Sequence, residues 1–279
     1  MSATSPISVC VIVRDEEERL PRCLDAVAWA DELVVVIDDR SRDGSEKIAR
    51  ERTPHVEVRA YGGDIDQKRH CVEQATHDWV LIVDPDEVVG EELGSEIRRC
   101  LTGGSAGAAG PAGSGAVAGY RLNRQTYHLG RWIRHGDFYP DWKLRLFRKS
   151  RIRWEGRDPH GHIEVDGVVQ RLAGRLEHYS YSDLADQLDR IQFFSAEAAK
   201  ALQAEGRRMR LRDLVLRPPA RFARGYFLKL GFLDGVPGFV IAAATSFHVF
   251  LKYAKLWELQ RAAVRRSGGK GDSSGADAS

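Results

Sequence analysis

Two rhythms of apolar and polar positions alternate through the first hundred residues. Unbroken apolar runs, "ISVCVIV" at 7–13 and "ELVVVID" at 32–38, are rich in β-branched residues, as strands buried on both faces require. "VEVRA" at 56–60 is a weaker run of the same kind and "WVLIV" at 79–83 a strong one. Between them, apolar residues recur at helical spacing. After Asp15, a candidate N-cap, "EEERLPRCLDAVA" places Leu20, Cys23, Leu24 and Val27 on one face, with Pro21 near the first turn, where its missing N–H is tolerated. "SRDGSEKIARER", "DQKRHCVEQAT" and "EELGSEIRRCL" follow the next three strands. Strand–helix alternation with short links predicts an α/β fold: a mostly parallel, Rossmann-like sheet flanked by helices, with right-handed crossovers.

The rhythm stops at residue 102. "TGGSAGAAGPAGSGAVAG" (102–119) carries no charge and one large side chain, Val117, so it predicts a flexible surface insertion. A mixed region (120–178) follows, with strand candidates "AGYRLNR" and "WKLRLFR". From Ser182 an amphipathic helix runs to Gly206, then come an arginine-rich segment, an apolar segment (231–257) and a polar tail. These shifts divide the chain into an α/β domain (1–180), a C-terminal helical extension (181–265) and a disordered tail (266–279).

Charge and cysteine usage narrow the function. The 279 residues have a net charge of +2, so basic character is local and no nucleic-acid partner is expected. Cys10, Cys23, Cys71 and Cys100 lie far apart without metal-type spacing, which predicts free thiols in a reducing compartment. The N-terminal apolar run is too short for a signal sequence, and the expectation is a cytoplasmic protein.

The chemistry gathers at strand ends. In an open parallel sheet, ligands bind beyond the carboxyl ends of the strands. Strand one ends at Arg14-Asp15-Glu16, strand two at Asp38-Asp39, and the fourth at Asp84-Pro85-Asp86-Glu87. Acids at such places often cap helices, but three strands delivering acids to one edge is electrostatically unfavourable without a cation or several donors. The sequence has neither a P-loop nor a GxGxxG fingerprint, so phosphate binding must go through a metal, and Mg²⁺ or Mn²⁺ suits carboxylates shared with substrate phosphates. Asp84 and Asp86 present two carboxylates at one strand end, with Pro85 stiffening the turn.

These segments carry a resemblance. "VIVRDEEERLPRCLDAV", "VVVIDDRSRDGSEKIA", "QKRHCVEQATHDWVLIVDPDE" and "WKLRLFRK" resemble family 2 glycosyltransferases of the GT-A fold, over about residues 7 to 180. "HYSYSDLADQLDRI" and "FLKLGFLDGVPGF" with "KYAKLWEL" resemble the branch that builds bacterial lipopolysaccharide core, close to its glucosyl- or heptosyl-transferases. The resemblance implies that Asp38 binds the base of a nucleotide, with Glu16 flanking it and Lys68 nearby. Asp84 would contact ribose or metal, and Asp86 would ligate Mg²⁺ or Mn²⁺. Asp15 stands where the family usually has Asn, and Pro85 where it has Ala or Ser. For the general base, the family pattern points into "WEGRDPHGHIEVDG": Gly161 stands where relatives tend to have an acid, so Asp158 is the first choice and Glu164 the second. His160 would hydrogen-bond a phosphate or orient the base. Arg145, on the polar face of "WKLRLFR", either faces the pyrophosphate or lies on a solvated edge.

The expected activity is therefore an inverting, metal-dependent transfer of a sugar from a nucleoside-diphosphate donor, UDP foremost, to a glycolipid or lipid-linked acceptor in lipopolysaccharide core or cell-envelope polysaccharide synthesis. A sugar nucleotidyltransferase is the rival enzyme, although it usually has a glycine-rich basic loop where this chain has "RDEEER". A non-catalytic membrane-surface scaffold would leave the acids unexplained. Between Arg207 and Arg224, arginines face a single acid, Asp213, which suits an anionic membrane surface. The apolar stretch that follows is broken at its start by Gly235, Pro237 and Gly238, so it predicts a helix lying on the cytoplasmic face of the inner membrane and not crossing it.

Overall fold

The computed structural model describes residues 5–102, 117–156 and 161–268. In chain order the elements of the first half are β1 (Ile7–Val13), α1 (Leu20–Ala26), β2 (Glu32–Asp38), α2 (Ser45–Arg52), β3 (Val56–Arg59), α3 (Asp64–Gln74), β4 (Trp79–Val83), β5 (Glu87–Val89) and α4 (Glu91–Leu101). There follow β6 (Val117–His128), β7 (Arg131–Trp132), β8 (Asp141–Arg148), β9 (Ile152–Glu155), β10 (His162–Val165), β11 (Val168–His178), α5 (Leu184–Ala204), α6 (Leu211–Val215), α7 (Arg217–Ala223) and α8 (Gly235–Gly268).

The main sheet has the order β3-β2-β1-β4-β8-β6-β11-β5. β1 pairs in parallel with β2 and β4, and β2 with β3, as the strand–helix alternation predicts. β8 runs antiparallel between β4 and β6, and β11 pairs parallel to β6 and antiparallel to β5. The central strands are apolar throughout because both faces are covered. Val9, Val11 and Val13 pack with Leu20 and Leu24 of α1 and Leu93 and Ile97 of α4. Their neighbours Cys10 and Ile12 pack with Cys71 and Val72 of α3 and with Phe147. Among the described residues all four cysteines are free, three of them buried.

Several boundaries differ from those expected. Asp15 does not cap α1, which starts at Leu20 after Arg19. Asp15 instead takes a left-handed φ of 51°, a conformation Asn and Asp tolerate better than most residues. Its N–H donates to Ser41 Oγ at 3.0 Å and its carboxylate accepts from the Arg42 N–H at 2.7 Å, so the loop after β2 holds it. Residues 117–119, expected in the insertion, are the start of β6; 103–116 lie outside the described residues. The glycine- and proline-broken start at 235–238 is the first turn of α8, and that helix extends through residues 266–268 of the expected tail.

The chain falls into two units, Met1–Tyr127 with Pro140–Ser180, and His128–Tyr139 with Tyr181–Ser279. In the second, α5 packs on α8 around Ala199, Tyr253 and Leu256. Asp183 caps α5 by accepting from the Asp186 N–H at 2.8 Å.

Candidate active site

The turn after β4 is the centre of the site. The Glu87 N–H donates to the Asp84 carbonyl at 2.9 Å, closing a four-residue turn with Pro85 at its second position, where a fixed φ favours it. The Pro85 departure therefore costs the turn nothing. Asp84 sits between two cations. Lys68 Nζ of α3 lies 3.1 Å from its Oδ1, and Arg145 Nη2 bonds its Oδ2. Burial alone would raise the Asp84 pKa, but Arg145 and Lys68 reverse that and hold it far below the usual carboxylate range. Burial opposes the charge of Lys68, and Asp84 and Asp64 together outweigh it, so the ammonium is stabilised.

Arg145 arrives by strand direction. β8 is antiparallel to β4, with Leu146 opposite Leu81, so its early residues lie where the parallel strands end. Its guanidinium is buried and also donates to Glu87 Oε1 at 2.5 Å. Arg124 Nη1 of β6 reaches the same oxygen at 3.4 Å and Asp141 at 2.7 Å through Nη2. Glu87 Oε2 accepts the Asp84 N–H at 3.1 Å. The three acids thus play different parts. Glu87, fully buried, is a counter-ion that fixes the turn; Asp84 is neutralised by two cations; Asp86 meets an imidazole instead. Arg145 accordingly holds two carboxylates and is buried, so it is not on the solvated edge that was one of its two expected places.

Asp86 turns to a residue the sequence reading did not assign. His178, the last residue of β11, places Nε2 3.3 Å from Asp86 Oδ2, and the next residue, Tyr179, donates its N–H to the Asp86 carbonyl at 2.8 Å. Nδ1 of His178 lies 3.1 Å from Thr126 Oγ1 on β6. A hydroxyl can donate or accept, so Thr126 supports either tautomer and can leave Nε2 free as a ligand. The only sequence signal for His178 is its place in "HYSYSDL".

The remaining expected residues divide. Asp38, at the end of β2, is buried and gripped by Arg40, whose Nε lies 2.9 Å from Oδ1; Arg40, with its side-chain hydrogen bonds leading, pulls the carboxyl down to about 2. Arg40 stacks over Tyr61 at 4.4 Å. Glu16 is partly buried, pairs with Arg19 at 3.2 Å, and its N–H donates to Ser45 Oγ. Asp43 joins the loops after β1 and β2 by accepting N–H groups from Glu17 and Ser45. Cys23 of α1 donates weakly to the Asp84 carbonyl, and burial followed by the Glu87, Asp84 and Asp86 charges pushes its thiol well up, so it is an inert lining residue. Asp158 and His160 lie outside the described residues. Glu164 is exposed on β10, in a separate two-stranded sheet with β9, beside His162 at 3.6 Å.

A metal fits one part of this edge. Asp86 and His178 offer one carboxylate and one imidazole, a pair suited to a divalent cation whose other positions go to phosphate and water. Among the described residues no group of three or more His, Cys, Asp or Glu could form a protein-only cage. Asp84, committed to Lys68 and Arg145, is a poor ligand in this arrangement.

The mostly parallel sheet that collects acids at the ends of β1, β2 and β4 has the GT-A arrangement. The family model for glycosyl transferase family 2 matches residues 8–171, more than half the chain, and the protein belongs to that family. It is 27% identical over 263 residues to an uncharacterized glycosyltransferase of Rickettsia typhi, covering 91% of this chain and 87% of the relative. It is 26% identical over 263 residues to the lipopolysaccharide core biosynthesis glycosyltransferase LpsC of Rhizobium meliloti, covering 91% and 92%. Among solved structures it is similar to S. aureus TarS 1-349 at 15% identity over 92% of each chain, with a TM-score of 0.38, too low to carry detail. Family membership sets aside the nucleotidyltransferase and scaffold alternatives.

Proposed function

We propose that the protein transfers a sugar from a nucleoside-diphosphate donor to a glycolipid acceptor with inversion, using a divalent cation held by Asp86 and His178, in synthesis of lipopolysaccharide core or a related envelope glycan. The observation that carries the reading is the division of labour in the Asp84–Glu87 turn, which leaves one carboxylate, Asp86, opposite an imidazole steadied by Thr126. The name of LpsC supports the acceptor class.

The donor nucleotide lies along the edge formed by Asp15, Glu16, Asp38, Lys68 and Asp84. Asp38 and Asp84 enter as carboxylates already balanced by Arg40, Lys68 and Arg145, so a diphosphate is not repelled there. Bound Mg²⁺ or Mn²⁺ supplies charge neutralisation for the leaving diphosphate. The chain's own part is to orient the donor and to take the proton of the acceptor hydroxyl, whose oxygen attacks the anomeric carbon as the bond to diphosphate breaks. Asp158 is the first candidate for that base and Glu164 the second. The acceptor is met at the cytoplasmic face of the inner membrane.

The test is a thermal-shift panel of UDP-, GDP-, dTDP- and ADP-sugars on the full chain, with and without Mn²⁺. Stabilisation by one nucleotide class only with Mn²⁺ is expected, and its loss in both Asp86→Ala and His178→Ala. A variant that keeps the wild-type Mn²⁺ dependence overturns the assignment.

A further inference from the structure

The second unit carries a surface the transfer chemistry does not use. Seven large apolar side chains between Phe227 and Phe239 are exposed, led by Leu228 at 80% and Val236 at 75%, with Phe227, Leu230, Phe232, Leu233 and Phe239 beside them. In a water-facing loop such residues would scatter; here they crowd one knuckle between α7 and α8.

The knuckle's backbone is folded in on itself. A π-helical turn covers Arg224–Leu228, Leu230 takes a left-handed φ of 59°, and a 3₁₀ turn covers Gly231–Asp234. Lys229, Leu230 and Leu233 each donate their N–H to a carbonyl inside the knuckle, and the Gly136 N–H donates to the Lys229 carbonyl. Gly225, Gly231 and Gly238 let these turns meet backbone to backbone: a Cβ on Gly231 would sit 2.7 Å from the Gly225 carbonyl oxygen, and one on Gly238 would overlap that of Gly231. Polar backbone is thereby paired inward and apolar side chains point outward, the arrangement that hydrocarbon demands.

The charges are sorted in the same way. Every acid of this region is buried. Asp137 is paired with Arg221 at 3.2 Å and Lys229 at 3.1 Å, and Asp234 accepts N–H groups from Arg134 and His135 and is paired with Arg131. Asp213 is buried between Arg207 and Arg217. Arg208, Arg210, Arg212, Arg217, Arg224 and Lys229 are exposed. The outer face is therefore apolar at the knuckle and cationic around it, complementary to an anionic bilayer. Among the described residues one helix, over Gly231–Ala262, is long and apolar enough to cross a membrane, but Ile241, Ala242, Tyr253 and Leu256 of α8 are buried within this unit. That helix packs part of its length on α5 around Ala199, Tyr253 and Leu256, which ties it to this unit.

From this sorting we infer that the 227–239 knuckle is a monotopic anchor, inserting Phe227, Leu228, Leu233 and Val236 into the interface of an anionic bilayer while the surrounding arginines bind headgroup phosphates. This goes beyond the transferase reading to the segment that holds the enzyme on its surface. It is tested without donor or turnover, so the two can fail separately. The full chain is floated with phosphatidylcholine vesicles and with vesicles containing phosphatidylglycerol. Three chains are compared: wild type, Leu228→Glu/Val236→Glu, and Phe193→Glu, a change at another exposed apolar position. Both sets of substitutions are at exposed side chains, and circular dichroism confirms that each variant is folded. Expected are flotation of wild type with the anionic vesicles only, reduced by salt, about a tenfold or greater loss in the knuckle variant and none in Phe193→Glu. The inference is overturned if wild type does not float, if it floats equally on neutral vesicles, or if the two variants behave alike. It is also overturned if wild type is a dimer that the knuckle substitutions dissociate, because a second copy then covers the patch.

Discussion

Replacing Glu87 by Gln tests whether this buried acid is the counter-ion that fixes the Asp84–Glu87 turn. The change keeps shape and removes one charge from a set in which Lys68, Arg124 and Arg145 face Asp84, Glu87 and Asp141. Glu87 uses both oxygens: Oε1 takes Arg145 at 2.5 Å and Arg124 at 3.4 Å, and Oε2 takes the Asp84 N–H at 3.1 Å. An amide has one acceptor, so in either flip its NH₂ meets a donor, either the arginines or the Asp84 N–H. Breaking a buried ion pair on one side costs about 3–5 kcal/mol. For a domain of this size that corresponds to a fall of roughly 6–20 °C in melting temperature. Thermal and urea unfolding of the full chain measure it, with Arg145→Met and the double variant completing a cycle. The double variant should lose less than the sum of the singles, because removing both partners leaves no uncompensated charge. A Glu87→Gln chain within about 1 kcal/mol of wild type, the range of an exposed pair, would refute the counter-ion role.

Other consequences follow from single contacts. Thr126→Val should raise the Mn²⁺ needed for half-maximal donor binding roughly ten- to hundredfold, as loss of an outer hydrogen bond to a ligating histidine does, and should cost about 1–3 kcal/mol of metal-free stability because the buried His178 Nδ1 loses its partner; a calorimetric titration reads the first and urea unfolding the second. Asp158→Asn should lower turnover by roughly two to four orders of magnitude with donor affinity unchanged, and exposed Glu164→Gln should be near normal; the reverse pattern in steady-state kinetics moves the base to Glu164. Asp38 has a carboxyl lowered from 3.8 to about 2, so its contribution to stability is full above the unfolded value and is lost as pH falls towards 2. Asp38→Asn should therefore flatten the acid limb of the stability profile without altering the neutral limb's shape. Replacing 103–116 with a short Gly-Ser link should keep turnover within a few fold of wild type in a steady-state assay, since that stretch supplies no charged or aromatic side chain and its two serines, Ser105 and Ser114, are kept in kind by the link.

What the sequence disclosed, and what it hid, follows from where each residue finds its partners. β1, β2 and β4 were legible because a strand covered on both faces must be apolar at every position, a signal contained in the strand itself. β5 was not, since three residues carry no period, and β11 was masked by the alternating charges of "QRLAGRLEH" on its exposed side. The start of α1 was misplaced because Asp15 is held by Ser41 and Arg42, and local capping chemistry cannot announce a partner on another strand's loop. The acids followed the same division. Parallel strands predicted that Asp38, Asp84 and Asp86 would gather at one edge, since strand direction alone settles it. Which acid stays free was decided by the antiparallel strands. β8 carries Arg145 in to neutralise Asp84 and Glu87, and β11 ends with His178 beside Asp86. Apolar periodicity is silent about those partners, because it does not record strand direction. Only the pairing order, with β8 next to β4 and β11 between β6 and β5, turns a row of acids into one available carboxylate with an imidazole to face it.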